Sequence, residues 1–213
     1  MTPGDVLLVA GLVVVGSALG ATVLPRWADV ESRSTARSGP RTRLAGATLT
    51  GVAFGLLGLR TGMDALLPAF LAVTAVGTAL SIVDLREKRI PNRMLLVASP
   101  IVALLLVAGL LLRGEPGRLV GVVAGAAAMF VLYFAIALVV PAAMGMGDVK
   151  LAALLGGALG ATGLTGWLVG LLGAFLVGGL VAVIALVTRR IGLRGSIPFG
   201  PWMVVGAVIG LAV

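Results

Sequence analysis

The sequence predicts an all-α polytopic membrane protein: a bundle of about eight transmembrane helices with both termini on the non-cytoplasmic side. Three observations predict it. Of 213 residues, 60% are hydrophobic and only 11% charged, with a mean hydropathy of +1.18; a soluble domain is about half apolar and a quarter charged. Apolar runs recur along the whole chain, and at roughly 20 residues per crossing the length holds about eight, with no room for a soluble domain. The basic residues, finally, favour one end of the helices.

The first helix is expected over residues 5–24. The small residues Ser17-Ala18-Leu19-Gly20-Ala21 resemble a signal cleavage site. No Lys or Arg precedes the apolar run, however, and Asp5 stands where a positive charge belongs, so the segment reads as a retained helix. Residues 25–43 are Arg- and Ser-rich and read as a short, flexible, basic cytoplasmic loop. Further helices are expected over 44–59, 63–83, 94–112 and 119–140. An uncharged run then extends over 151–187, too long for one crossing of about 30 Å at 1.5 Å per residue. It divides into two helices near 163–166, and a short last helix starts at Phe199. The chain thus reads as one transmembrane domain, 1–213.

Charge sets the direction. Arg26, Arg33, Arg37, Arg41, Arg43, Arg86, Lys88, Arg89, Arg93, Lys150, Arg189, Arg190 and Arg194 fall on one face; only Arg60, Arg113 and Arg118 fall on the other. The positive-inside rule makes the first face cytoplasmic. The net charge of +8 is then a topology signal, and no nucleic-acid partner is expected. The chain has no Cys and no His. That excludes disulfides, thiol nucleophiles, imidazole triads and His- or Cys-ligated metals, and no cofactor or metal is expected.

Glycine pairs four apart recur on nearly every helix: Gly16/Gly20, Gly51/Gly55, Gly121/Gly125, Gly156/Gly160, Gly166/Gly170 and Gly206/Gly210. Such pairs let helix backbones approach closely in lipid. Their spread over so many helices reads as packing within one bundle rather than as a dimer face, which favours a monomer.

Ionisable residues within membrane segments are the first functional candidates. Asp5, Asp64 and Glu115 lie at the outer face, Asp29 and Glu31 in the Arg-rich loop, and Glu87 between Arg86 and Lys88. These read as solvated or charge-paired. Asp84 and Asp148 differ: each stands at the cytoplasmic edge of an apolar helix, so the topology puts both at one membrane depth. Two such carboxylates can share one proton, the ionised one activating water and the protonated one donating to a carbonyl oxygen or leaving nitrogen. That chemistry needs no metal, thiol or imidazole. Simpler roles also fit, an N-cap for Asp148 and an ion pair with Arg86 or Lys88 for Asp84.

The residues around these acids form three blocks. Asp84 is followed by Leu85-Arg86-Glu87-Lys88-Arg89-Ile90-Pro91-Asn92; Asp148 stands in Gly145-Met146-Gly147-Asp148-Val149-Lys150-Leu151; the third is Ile197-Pro198-Phe199-Gly200-Pro201. In this order they resemble the type IV prepilin peptidase family, membrane aspartyl proteases of the GxGD kind, over roughly 79–213. The resemblance implies a multi-pass enzyme of the bacterial inner (cytoplasmic) membrane. Such an enzyme removes the basic leader of prepilins or pseudopilins after a Gly at the cytoplasmic face. It makes Asp84 and Asp148 the catalytic pair and Gly145, Gly147, Lys150 and Pro91 active-site motif residues. The glycines allow close backbone approach, and Pro91 disfavours helix at Ile90. Lys150 is poorly placed against the helix dipole; it suits a pairing with an aspartate, attraction of a substrate carboxylate, or snorkelling to headgroups.

One departure stands out. Full-length members carry a large first cytoplasmic loop with paired Cys that bind zinc, tied to N-methylation of the product. Here residues 25–43 take its place and contain no Cys. The resemblance is therefore to the short, peptidase-only form, with N-methyltransferase activity not expected. The competing class is an ion-coupled transporter using intramembrane Asp residues. Carrier sites lie near the midplane within repeated halves; neither feature is visible here.

Overall fold

The structure, a computed structural model, describes residues 2–35, 37–140, 144–189 and 197–213. Two of the basic residues used for topology, Arg190 and Arg194, lie outside the described residues.

Helix is the only regular secondary structure among the described residues. The α-helices are α1 Pro3–Ala21, α2 Val23–Glu31, α3 Pro40–Thr61, α4 Leu67–Glu87, α5 Asn92–Leu112, α6 Leu119–Val139, α7 Met146–Thr162, α8 Leu164–Val187 and α9 Gly200–Leu211. A 3-10 turn at Pro116–Arg118 leads into α6. Six segments are long and apolar enough to cross a membrane: Pro3–Glu31, Pro40–Thr61, Leu67–Glu87, Asn92–Leu112, Pro116–Val139 and Leu164–Val187. The chain is a multi-pass membrane protein. The run 151–187 breaks at Gly163, whose φ of 98° is open to glycine but strained for other residues, so α7 and α8 are separate helices.

α7 has 17 residues and α9 has 12, both short of a full crossing. Both are among the most buried helices, each with a long run of interior residues. A short helix is tolerated at membrane depth where protein surrounds it. α4 is the central post: 72% of its most apolar window is buried, and it packs against α2, α3, α5 and α9.

The glycine pairs join helices of this same chain. Gly20 of α1 faces Gly46 of α3, where an added Cβ would overlap the Gly46 carbonyl oxygen. Gly121 and Gly125 of α6 face Gly160 and Gly156 of α7, and Gly166 and Gly170 of α8 face Gly210 and Gly206 of α9. The backbones touch, as small-residue stripes permit in lipid.

Residues 25–43 depart from expectation. The segment is not an open flexible loop: α2 runs to Glu31, with Leu24, Pro25 and Ala28 buried on one face. Pro25 sits in the first turn, where its missing N–H costs nothing. Within α2, Asp29 accepts hydrogen bonds from the Ser38 backbone N–H at 2.9 Å and pairs with Arg86 at 2.8 Å. Glu87 accepts from the Ser32 hydroxyl and from the backbone N–H groups of Arg33 at 2.7 Å and Ser34 at 3.2 Å. Acids expected to be merely solvated or charge-paired therefore hold this segment against the end of α4. A composition count does not reveal such contacts, because the partners lie some 50 residues apart in the chain.

Candidate active site

Asp84 lies in the last turn of α4 and is only 3% exposed. The helix ends at Lys88, which takes the left-handed conformation (φ 50°) and donates its N–H to the Asp84 carbonyl at 2.8 Å. That cap turns the chain away, and Pro91 then starts α5 as its N-cap residue. Ile90, between the two turns, is buried. The motif spacing from Asp84 to Pro91 is thus the length of one helix end and one helix start.

Asp84 does not pair with Arg86, which reaches Asp29 instead. Its Oδ2 accepts a hydrogen bond from the backbone N–H of Gly200 at 3.0 Å, at the first residue of α9. A Cβ at Gly200 would stand 2.8 Å from the same oxygen and 3.3 Å from Ile90 Cδ1.

Asp148 stands in the first turn of α7. It is not the N-cap; Gly145 is. From the third helical position Asp148 reaches back, and its Oδ2 accepts from the Gly145 N–H at 2.9 Å. A carboxylate here also sits well against the helix N-terminus. Its other oxygen, Oδ1, is buried without a hydrogen-bond partner among the described residues. Gly147 presses on Ile90, where an added Cβ would meet Ile90 Cβ at 2.8 Å and its carbonyl oxygen at 2.9 Å. Lys150 pairs with neither aspartate. Its ammonium donates to Asn92 Oδ1 at 2.9 Å, at the exposed start of α5.

The three sequence blocks therefore meet. Ile90 is in contact with Gly147 and lies against Gly200, Lys150 ties α7 to α5, and Gly200 ties α9 to Asp84. Ile90 brings the two acids' surroundings together: Gly147, next to Asp148, and Gly200, which holds Asp84, both lie against it. A buried acid held by one backbone N–H, beside a second acid with a free oxygen, is an arrangement able to take and give protons.

Several groups around the pair escaped the sequence reading. Among the described residues, Ser81 Oγ, one turn before Asp84, is buried and unpaired, as are Tyr133 Oη and Trp202 Nε1. Phe199 packs its ring on Tyr133 and Phe175, with centroids 6.2 and 5.5 Å away. Phe175, Phe199 and Trp202 also line a cavity of about 290 Å³ with Gly178, Gly179, Ala182 and Ile197. One signal was legible: Tyr133 continues the four-residue spacing of Gly121 and Gly125 on α6.

A family model described as the type IV leader peptidase family matches residues 70–186, a stretch that holds Asp84 and Asp148 and stops short of Gly200. A prepilin leader peptidase/N-methyltransferase of Bacillus subtilis (strain 168) is 29% identical over 166 residues, covering 78% of this chain and 63% of the relative. The chain thus spans less than two thirds of that relative's length. No solved structure matches it.

Proposed function

The chain belongs to the type IV leader peptidase family, and from that premise we propose that it is a membrane-embedded aspartyl endopeptidase with Asp84 and Asp148 as its catalytic pair. It removes the basic leader of prepilins or pseudopilins at the cytoplasmic face of the inner membrane, cleaving after a Gly. The observation that carries this reading is the convergence of the three blocks on two acids: Gly200 on Asp84, Gly145 on Asp148, and Ile90 between Gly147 and Gly200.

The chemistry follows from a shared proton. Two neighbouring carboxyls do not both stay ionised. The ionised member takes a proton from water, whose oxygen attacks the scissile carbonyl carbon. The protonated member gives its proton to the carbonyl oxygen, which leaves a neutral tetrahedral gem-diol. Transfer of a proton to the peptide nitrogen and collapse of the gem-diol release the amine and the leader carboxyl. The burial of Asp84 favours such exchange, since water would otherwise solvate and level the pair.

The residues present support peptide hydrolysis and not product methylation. The Cys-bearing loop that the resemblance associates with methylation is replaced by residues 25–43, which contain no Cys and are held by Asp29, Arg86 and Glu87. Co-expression with a candidate prepilin tests the proposal. Leader removal should appear as a gel shift, and N-terminal sequencing should place the cut after Gly. An intact leader with every candidate prepilin and pseudopilin would overturn it.

A further inference from the structure

Tyr133 is the only tyrosine in the chain, sits on α6 and is wholly buried. Helix α6 runs antiparallel to α7, in a register read directly from the glycine contacts. Gly121 touches Gly160 and Gly125 touches Gly156, while Met129, one turn on, also packs on Gly156. One more turn along α6, against the matching turn of α7, sets Tyr133 level with Asp148. The ring contact to Phe199 gives a second, independent placement. Phe199 precedes Gly200, whose N–H holds Asp84. Tyr133 is thus placed level with Asp148 and against the residue that precedes Gly200.

Among the described residues its hydroxyl has no hydrogen-bond partner, and neither does Asp148 Oδ1. Buried tyrosine hydroxyls are ordinarily paired. As far as packing goes, a phenylalanine would fill this position equally well, with the same rings against it and no polar atom to desolvate. The hydroxyl is therefore unexplained by the fold of the chain, and the neighbouring acids point to what explains it.

We propose that Tyr133 is a substrate-binding residue whose hydroxyl donates to the carbonyl oxygen of the scissile peptide bond, between Asp148 and Asp84. The inference rests on the leader-peptidase reading. A carbonyl oxygen has two lone pairs. The protonated carboxyl addresses one and the Tyr133 hydroxyl the other. As negative charge grows on that oxygen, the second donor steadies it in a site shielded from water.

The test is Tyr133→Phe, which removes one oxygen and keeps the ring. With a synthetic prepilin peptide spanning the leader and the first apolar residues, kcat should fall about 10²-fold, the scale of losing one such donor. KM should stay within a few-fold, and thermal stability should be unchanged or raised. Unchanged kcat would overturn the inference. A second measurement does not depend on that variant. Because Tyr133 is the only tyrosine, growth on fluorotyrosine labels this site alone. In an Asp84→Asn background, with peptide occupancy followed by anisotropy, the fluorine resonance should move on saturation; an unmoved resonance would also overturn the inference. Failure of the underlying reading looks different. In that case the unsubstituted protein would leave the peptide intact, or Asp84→Asn and Asp148→Asn would themselves cleave normally.

Discussion

The backbone N–H of Gly200 donates to Asp84 Oδ2 at 3.0 Å across 116 residues of sequence. The bond makes the start of α9 part of the site, although α9 contributes no ionisable side chain to it. Two helices therefore orient Asp84: α4 carries it and α9 holds it.

Gly200→Ala tests that relationship. The new Cβ would stand 2.8 Å from Asp84 Oδ2, with Ile90 blocking the other way out at 3.3 Å. The N–H is retained, so only the seat of the carboxylate changes. Leader cleavage should fall about 10²-fold, as a displacement near 1 Å at a reacting group costs, while the protein stays folded in the membrane. Normal cleavage would show that Asp84 does not depend on this approach.

Glu87 invites a different outcome. Three groups of residues 32–34 converge on its carboxylate, and Arg89 donates to it at 2.6 Å. Glu87→Ala should release the segment after α2 and cost about 1–3 kcal/mol of stability, the scale of hydrogen bonds to a charged group. Limited proteolysis should then cut within residues 32–35 faster than in the parent. The Glu87 carboxylate is taken up by residues 32–34 and Arg89, with no role assigned to it in the proton transfers, so cleavage of the leader should stay within a few-fold.

Much of this was legible in the sequence because membrane folding writes its rules in composition. Helix spans follow from apolar length, and the break at Gly163 follows from a run too long for one crossing. The block around Asp148 carried its own signal. What stayed hidden was long-range. That Asp29 would reach Arg86, or that Lys150 would choose Asn92 over an aspartate, depends on how helix ends meet in space. Tyr133 was hidden for another reason: a lone tyrosine in an apolar helix reads as packing until its hydroxyl is found without a partner.

Topology can be checked with the chain's own lack of cysteine. Thr35 and Met63 are exposed at opposite ends of α3. Single Thr35→Cys and Met63→Cys variants report each face. By the positive-inside rule, a membrane-impermeant thiol reagent should label Met63→Cys in intact cells and Thr35→Cys only in inverted vesicles. The reverse pattern would place the acids on the far face from the proposed substrate leader.

The decisive substitutions are Asp84→Asn and Asp148→Asn. Asparagine keeps nearly the same shape, and its side-chain oxygen still accepts the Gly200 or Gly145 N–H, so structural roles survive in both variants. What is lost is the proton: an amide neither takes one from water nor gives one to a carbonyl oxygen at working pH. Each single variant should therefore remain in the membrane with normal thermal stability and leave the leader uncut. Because the two acids act as one unit, the double variant should be hardly slower than either single. Additive losses would mean that the carboxyls work separately. Near-normal cleavage by either variant would remove the paired-acid mechanism, and with it the reason for Ile90, Gly147 and Gly200 to crowd around these two residues.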